Sequence, residues 1–206
     1  MLRIDGSPRS KLRLILAHGA GAGMDSDFMA EFAEGLAERG AYVVRFEFPY
    51  MAARRKGPRK PPDRPAVLMQ TWADVVAEVG KAERTCIGGK SMGGRIASMV
   101  ADTLKVAGVV CLGYPFHPPG QPTKLRTEHL AKLRTPTLIV QGSRDTFGTE
   151  AEVATYTLSK AIRVVTLADG DHSLGPRRAS GHTRASHFEA ALDSVEKFLR
   201  ARSAAR

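Results

Sequence analysis

Apolar and polar positions along this chain fall into short blocks of two alternating kinds. Leu12-Arg13-Leu14-Ile15-Leu16-Ala17 is a compact, mostly apolar run and predicts a strand. A glycine-rich turn follows, then a helix from about Asp27 to Arg39. Tyr42 to Phe46 predicts a second strand, which Pro49 stops. After a basic, proline-rich loop a helix is expected from about Ala66 to Val79. Arg84 to Gly88 reads as a strand, Met92–Leu104 as a helix and Val106 to Leu112 as a nearly all-apolar strand, the pattern of a parallel strand covered on both faces. A long loop containing Pro115, Pro118, Pro119 and Pro122 leads to a short helix near Glu128–Leu133. Thr137 to Gln141 is a fifth strand, Glu150–Leu158 a helix, Ile162–Leu167 a sixth strand and Ser186–Arg202 a final helix.

Strands that alternate with helical stretches imply βαβ units. The expectation is an α/β fold: a three-layer α/β/α sandwich around a mostly parallel sheet of about six strands. Neither a repeat nor a composition break divides the chain, so residues 1–206 are expected to form a single domain. The length of 206 residues is enough to bury a full core.

Composition changes this picture little. With 43% hydrophobic and 25% charged residues the chain reads as an ordinary globular protein. It has no apolar run approaching the roughly 20 residues of a membrane helix. Met1-Leu2-Arg3-Ile4-Asp5-Gly6 lacks the apolar stretch of a signal peptide. Cys86 and Cys111 lie inside strand-like runs and are expected to be buried and reduced, which fits a cytoplasmic setting. The net charge of +10 owes much to Arg54–Arg64 and to the tail Arg200–Arg206. These segments lack interleaved aromatics and any nucleic-acid module, so no nucleic-acid or membrane partner is expected. They read as a solvated loop and a helix end, with steering of an anionic substrate as the alternative.

The chemistry concentrates at Gly89-Lys90-Ser91-Met92-Gly93, between a predicted strand and a predicted helix. Gly-Lys-Ser also ends a phosphate-binding loop, but that motif needs a glycine where Arg84 stands. Gly19-Ala20-Gly21-Ala22-Gly23 fails the dinucleotide fingerprint, because Met24 and Ser26 occupy the positions that require glycine. What remains is G-x-S-x-G at a strand-to-helix turn. This arrangement lifts a serine hydroxyl above the sheet edge, with glycines where a side chain would strike a neighbouring element.

A nucleophilic serine needs a base, and the base needs an acid to fix its tautomer. Asp145, directly after the fifth strand, and His172, directly after the sixth, emerge at the same sheet edge as Ser91. They follow it by 54 and 81 residues, in the order serine, acid, histidine. Asp169 and Asp171 are alternative acids, although their closeness to His172 in sequence makes them hard to set against its ring. The backbone N–H groups of Met92 and of Ala20, with Gly21 as second choice, are candidates to bind a developing oxyanion. No pairing of histidines with a carboxylate suggests a metal site.

Taken together, His18-Gly19-Ala20-Gly21, Gly89-Lys90-Ser91-Met92-Gly93-Gly94, Gly142-Ser143-Arg144-Asp145 and Gly170-Asp171-His172 resemble the α/β-hydrolase superfamily. More narrowly they resemble a small group related to dienelactone hydrolases and to testis-expressed and histone-acetyltransferase-complex hydrolase-like proteins. Gly113-Tyr114-Pro115-Phe116-His117-Pro118-Pro119-Gly120 also recurs in that group. The likeness spans about residues 10–200. It implies nucleophile Ser91, acid Asp145 and base His172 and does not fix a substrate; the expectation drawn from the residues is a serine hydrolase without cofactor that cleaves an ester or thioester of a small carbonyl substrate. Complex-forming relatives leave a non-catalytic interaction protein as the alternative. No insertion is long enough for a lid domain, so loops 49–65 and 114–127 are expected to shape the pocket. His18, His117 and Arg126 are expected to touch substrate. Substrate identity and oligomeric state stay open.

Overall fold

The computed structural model describes residues 2–55, 57, 58 and 60–204. Seven strands form one sheet: β1 (Leu2–Asp5), β2 (Arg13–Ala17), β3 (Tyr42–Phe46), β4 (Cys86–Lys90), β5 (Gly108–Leu112), β6 (Thr137–Gly142) and β7 (Ile162–Leu167), in the order β1-β3-β2-β4-β5-β6-β7. All neighbours are parallel except β1, which runs antiparallel to β3 at the edge. The helices are α1 (Asp27–Glu38), α2 (Pro49–Arg54), α3 (Pro65–Val79), α4 (Met92–Leu104), α5 (Glu150–Val153) and α6 (Arg184–Ala204).

The middle strands are long enough only to cross the core, and every residue of β2, β3, β5 and β6 is buried. One hydrophobic layer packs α3 and α4 on the sheet through Trp72, Ile96, Val109 and Ile139. The other packs α1 and α6 through Phe32, Leu36, Leu192 and Val195. The result is the expected three-layer α/β/α sandwich with a mostly parallel sheet. The chain winds outward from β2 in both directions, to β3 on one side and to β4 on the other. The loops leaving β2 and β4 therefore diverge at a crevice on the carboxyl edge, the place where α/β sheets build their sites.

Four differences from the sequence-based expectation have physical causes. The seventh strand, β1, carries the counter-charge for a buried cation. Arg45 is fully buried in β3, and Asp5 of β1 accepts from its Nε and Nη2 at 2.8 and 2.9 Å. Pro49 does not only stop β3; it starts α2, because its fixed φ suits the first helical position, as does that of Pro65 at the start of α3. The helix expected near Glu128–Leu133 is a set of turns held mostly by i→i+3 bonds, such as Leu130 N–H to the Thr127 carbonyl. Six residues are too few to sustain a helix without packing that rewards it. α5 likewise ends after four residues, although Thr149 and Glu152 cap its start reciprocally.

Candidate active site

β4 delivers Ser91 to the start of α4, with a backbone φ of 50° and ψ of −115°. This left-handed conformation is costly for a residue with a Cβ and holds only because its surroundings fix it. The flanking glycines are required by contact. A Cβ on Gly89 would lie 2.1 Å from the Ala17 carbonyl oxygen, and one on Gly93 would lie 2.5 Å from that oxygen and 2.6 Å from that of His18. The Ser91 N–H donates to the Leu112 carbonyl at 3.0 Å, tying the turn to β5.

Asp145 leaves β6 and is fully buried. Its Oδ1 accepts from the Phe147 N–H at 2.8 Å, and its Oδ2 from Gln141 Nε2 at 2.9 Å and from His172 Nδ1 at 2.8 Å. His172 Nε2 stands 2.9 Å from Ser91 Oγ. The acceptor on Nδ1 fixes the tautomer: Nδ1 carries the proton and Nε2 offers its lone pair to the serine hydroxyl. The Phe147 ring stacks on the imidazole at 4.1 Å between centroids. Asp169 and Asp171 are otherwise engaged. Asp169 pairs with Arg144 and Arg177, and Asp171 accepts from the Ser173 and Gly175 N–H groups.

A cavity of about 370 Å³ opens over Ser91 and His172, walled by Ala20, Gly21, Phe28, Met29, Lys90 and Phe147 among others. Ala20 and Gly21 therefore stand across from the serine. The Gly19 and Ala20 carbonyls both accept from the Tyr50 hydroxyl, at 3.2 and 3.1 Å, which turns them away from the cavity. The Ala20 N–H has no acceptor among the described residues. The Met92 N–H, at the first position of α4, has no carbonyl one turn back to bind.

His18, His117 and Arg126 do not line this cavity. His18 is fully buried. Its Nε2 accepts from the Phe48 N–H at 3.1 Å, so Nδ1 holds the proton and donates to the Gly19 carbonyl at 2.6 Å. Burial keeps its pKa below the ordinary histidine value, so it stays neutral and braces the loop from behind. His117 is buried, with Nδ1 2.8 Å from the Pro118 carbonyl. Loop 114–127 is pulled away because Tyr114 and Phe116 are core residues. The Tyr114 hydroxyl donates to the Arg126 carbonyl at 2.9 Å, and Arg126 N–H to the Phe116 carbonyl at 2.7 Å. Arg126 lines a separate cavity with Arg95 and His129. Loop 49–65 acts only at second hand, through Tyr50 and Arg54 behind Ala20. Pocket shape comes instead from residues 19–29, Phe147 and the 172–173 turn.

Three contributors lie outside the motif residues. Gln141 holds Asp145 and also donates to the Tyr114 and Gly148 carbonyls, a polar residue inside an apolar strand that could have been flagged as such. Phe147 sits two residues after the acid. Lys90, the variable position of G-x-S-x-G, donates from Nζ to the His172 carbonyl and lies 5.4 Å above the Phe28 ring. Burial pulls its pKa down to about 8, against the opposing pull of Asp145 and Asp171.

The chain is similar to three solved structures along nearly its whole length. Est1E from Butyrivibrio proteoclasticus matches at 17% identity and a TM-score of 0.72, covering 98% of this chain and 94% of that one. A serine hydrolase without lid from Xanthomonas campestris matches at 19% and 0.66, covering 98% and 86%. A monoacylglycerol lipase of Paleococcus ferrophilus matches at 14% and 0.71, covering 96% and 98%. At such identities the likeness establishes the fold. Residues 10–200 match the family model of the alpha/beta hydrolase domain, and the chain belongs to that family.

Proposed function

We propose that the protein is a serine hydrolase that cleaves an ester or thioester of a small carbonyl compound through an acyl-enzyme. The observation that carries this reading is the continuous chain from Asp145 through His172 to Ser91, at 2.8 and 2.9 Å, on the floor of a cavity with mostly apolar walls. Ser91 Oγ attacks the carbonyl carbon while its proton passes to His172 Nε2. Asp145 holds the ring and stabilises the imidazolium that forms. The carbonyl oxygen takes up the electron pair and binds the Met92 and Ala20 N–H groups, each such donor contributing about 3 kcal/mol to the transition state. The imidazolium then gives its proton to the leaving oxygen or sulfur. Water, deprotonated by His172, releases the acid and restores Ser91. The residues that do this need no cofactor. The apolar walls suit a small, uncharged acyl group, and a cytoplasmic setting accords with the burial of both cysteines.

The test is labelling with a fluorophosphonate, read by peptide mass spectrometry. Ser91 is expected to carry the label in the wild type, and neither Ser91→Ala nor His172→Ala is expected to react. A folded wild type that stays unlabelled would sink the reading and favour a non-catalytic interaction protein.

A further inference from the structure

The opposite edge of the sheet holds a second cavity of about 330 Å³ whose walls carry Arg9, Lys11, Arg13, Lys81, Arg84 and Arg202 and no carboxylate. Four separate segments bring these cations together: the turn between β1 and β2, the start of β2, the turn before β4, and the last turn of α6. None of the six forms an ion pair among the described residues, whereas Arg39, Arg45, Arg55, Arg144, Arg177 and Arg184 all do. Arg13 is buried. Its guanidinium is aimed by Thr85 Oγ1, 3.3 Å from Nε, and by the Tyr42 ring 4.5 Å below. Arg202 Nε is buried with no hydrogen-bond partner among the described residues. Lys81 is held at a φ of 56°, a conformation that costs roughly 1–2 kcal/mol for a side-chain-bearing residue.

Among the described residues no carboxylate lines the cavity to balance this charge. The carboxyl end of α6 contributes roughly half an elementary charge. Six cations around one cavity repel one another, screened over about 8 Å at physiological ionic strength. A ligand with several negative charges would remove that repulsion. Guanidinium groups suit phosphate, whose oxygens accept paired N–H donors. Concave walls exclude a flat bilayer, and no aromatic ring lines the cavity to stack a base.

We propose that this cavity binds a short chain of condensed phosphates, held by Arg13, Lys81, Arg84 and Arg202 at the amino ends of β2 and β4. The site is separate from the hydrolase site: β4 (Cys86–Lys90) lies between them, about 16 Å of extended chain. The bound species is not the compound cleaved at Ser91.

Isothermal titration of the full chain with sodium tripolyphosphate at low ionic strength tests this. The expected result is binding with Kd below about 1 mM that weakens steeply with added salt. The double variant Lys81→Gln/Arg84→Gln, made at exposed positions, is expected to bind at least roughly tenfold more weakly, whereas Lys160→Gln, outside the cavity lining, binds like wild type. ATP is expected to bind no more tightly than tripolyphosphate; a requirement for the nucleoside overturns the proposal. So does equal loss in the double variant and Lys160→Gln, which would mean diffuse surface charge, or no binding at all. Tighter binding to a single-stranded oligonucleotide or to phosphatidylserine vesicles would also overturn it, in favour of a polymer or membrane surface. Ester turnover at Ser91 is expected to be unchanged in the double variant, so failure of either proposal is seen independently of the other.

Discussion

At the carboxyl edge of the sheet, Asp145 is fully buried and each of its oxygens has a donor: Phe147 N–H on one, Gln141 Nε2 and His172 Nδ1 on the other. At the amino edge, six cations share a cavity with no carboxylate in its walls. Both edges are built from loops on the same parallel strands, so the fold alone does not dictate the difference. A buried charge whose two oxygens are both held by donors can serve chemistry, because nothing needs to rearrange when a proton moves past it. A cluster of like charges without partners cannot serve as a rigid proton relay. It is a surface waiting for an opposite charge, and its stability is set by salt and ligand. The carboxyl edge should therefore fail on removal of a hydrogen bond, and the amino edge should improve on removal of a charge.

The largest effect is expected from Asp145→Asn. Because Oδ1 faces the Phe147 N–H, the new NH₂ must occupy the Oδ2 position, where it meets two donors, Gln141 Nε2 and His172 Nδ1. The imidazole can accept from it only by moving its proton to Nε2, which then points at Ser91 as a donor. Turnover of an ester should fall by about 10⁴-fold with the fold retained, as it does for the wrong tautomer in serine proteases. A kcat within tenfold of wild type would show that His172 does not need the carboxylate, and would dissolve the contrast between the edges.

A smaller effect tests the cation that lines the catalytic cavity. The Lys90 pKa is pulled down to about 8 in the folded protein, from an ordinary 10.5. Below pH 8 the lysine is protonated in both states, and folding buries the charge. Between 8 and 10.5 the unfolded chain keeps a proton that the folded chain has lost, so stability rises with pH across that window. Relative to Lys90→Met, the wild type should gain roughly 3 kcal/mol between pH 7.5 and 10.5, flat below it. Urea denaturation of both proteins at several pH values measures this. Parallel curves would mean that Lys90 is solvated and that its contact with the His172 carbonyl does not hold the loop.

Much of this was legible in the sequence, and the parts that were not share a cause. Ser91, Asp145 and His172 follow strands, and strands with apolar runs are easily read; their chain order carried the rest. Pro49 was legible as a stop but not as a helix start, because the two use the same fixed φ. β1 was missed because Leu2-Arg3-Ile4-Asp5 is half polar, and only the burial of Arg45 on its neighbour explains why it pairs. His117 and Arg126 stand away from the cavity over Ser91 because the polarity of a loop does not decide which way it faces. Tyr114 and Phe116, buried beside them, decide where that loop lies. Gln141 and Lys90 reach Asp145 and His172 over 4 and 82 residues of chain, which no periodicity encodes. The basic cavity assembles from four segments, and of the described residues in the two obvious charge runs, Arg54–Arg64 and Arg200–Arg206, Arg202 and Ser203 line it.

The smallest effect carries the opposite sign. Removing two unpaired cations in Lys81→Gln/Arg84→Gln should leave stability within about 0.5 kcal/mol of wild type at physiological salt, because exposed charges are screened there. At low salt the repulsion is no longer screened, and the variant should become more stable than wild type by up to about 1 kcal/mol. Urea denaturation at two ionic strengths reads the difference, with Lys160→Gln as the control for net charge alone. Tripolyphosphate should reverse the order by stabilising the wild type more than the variant, since a ligand adds stability only to the protein that binds it. A double variant that is less stable at low salt would mean that Lys81 and Arg84 already have counter-charges, and the two edges would then differ in chemistry but not in electrostatic state.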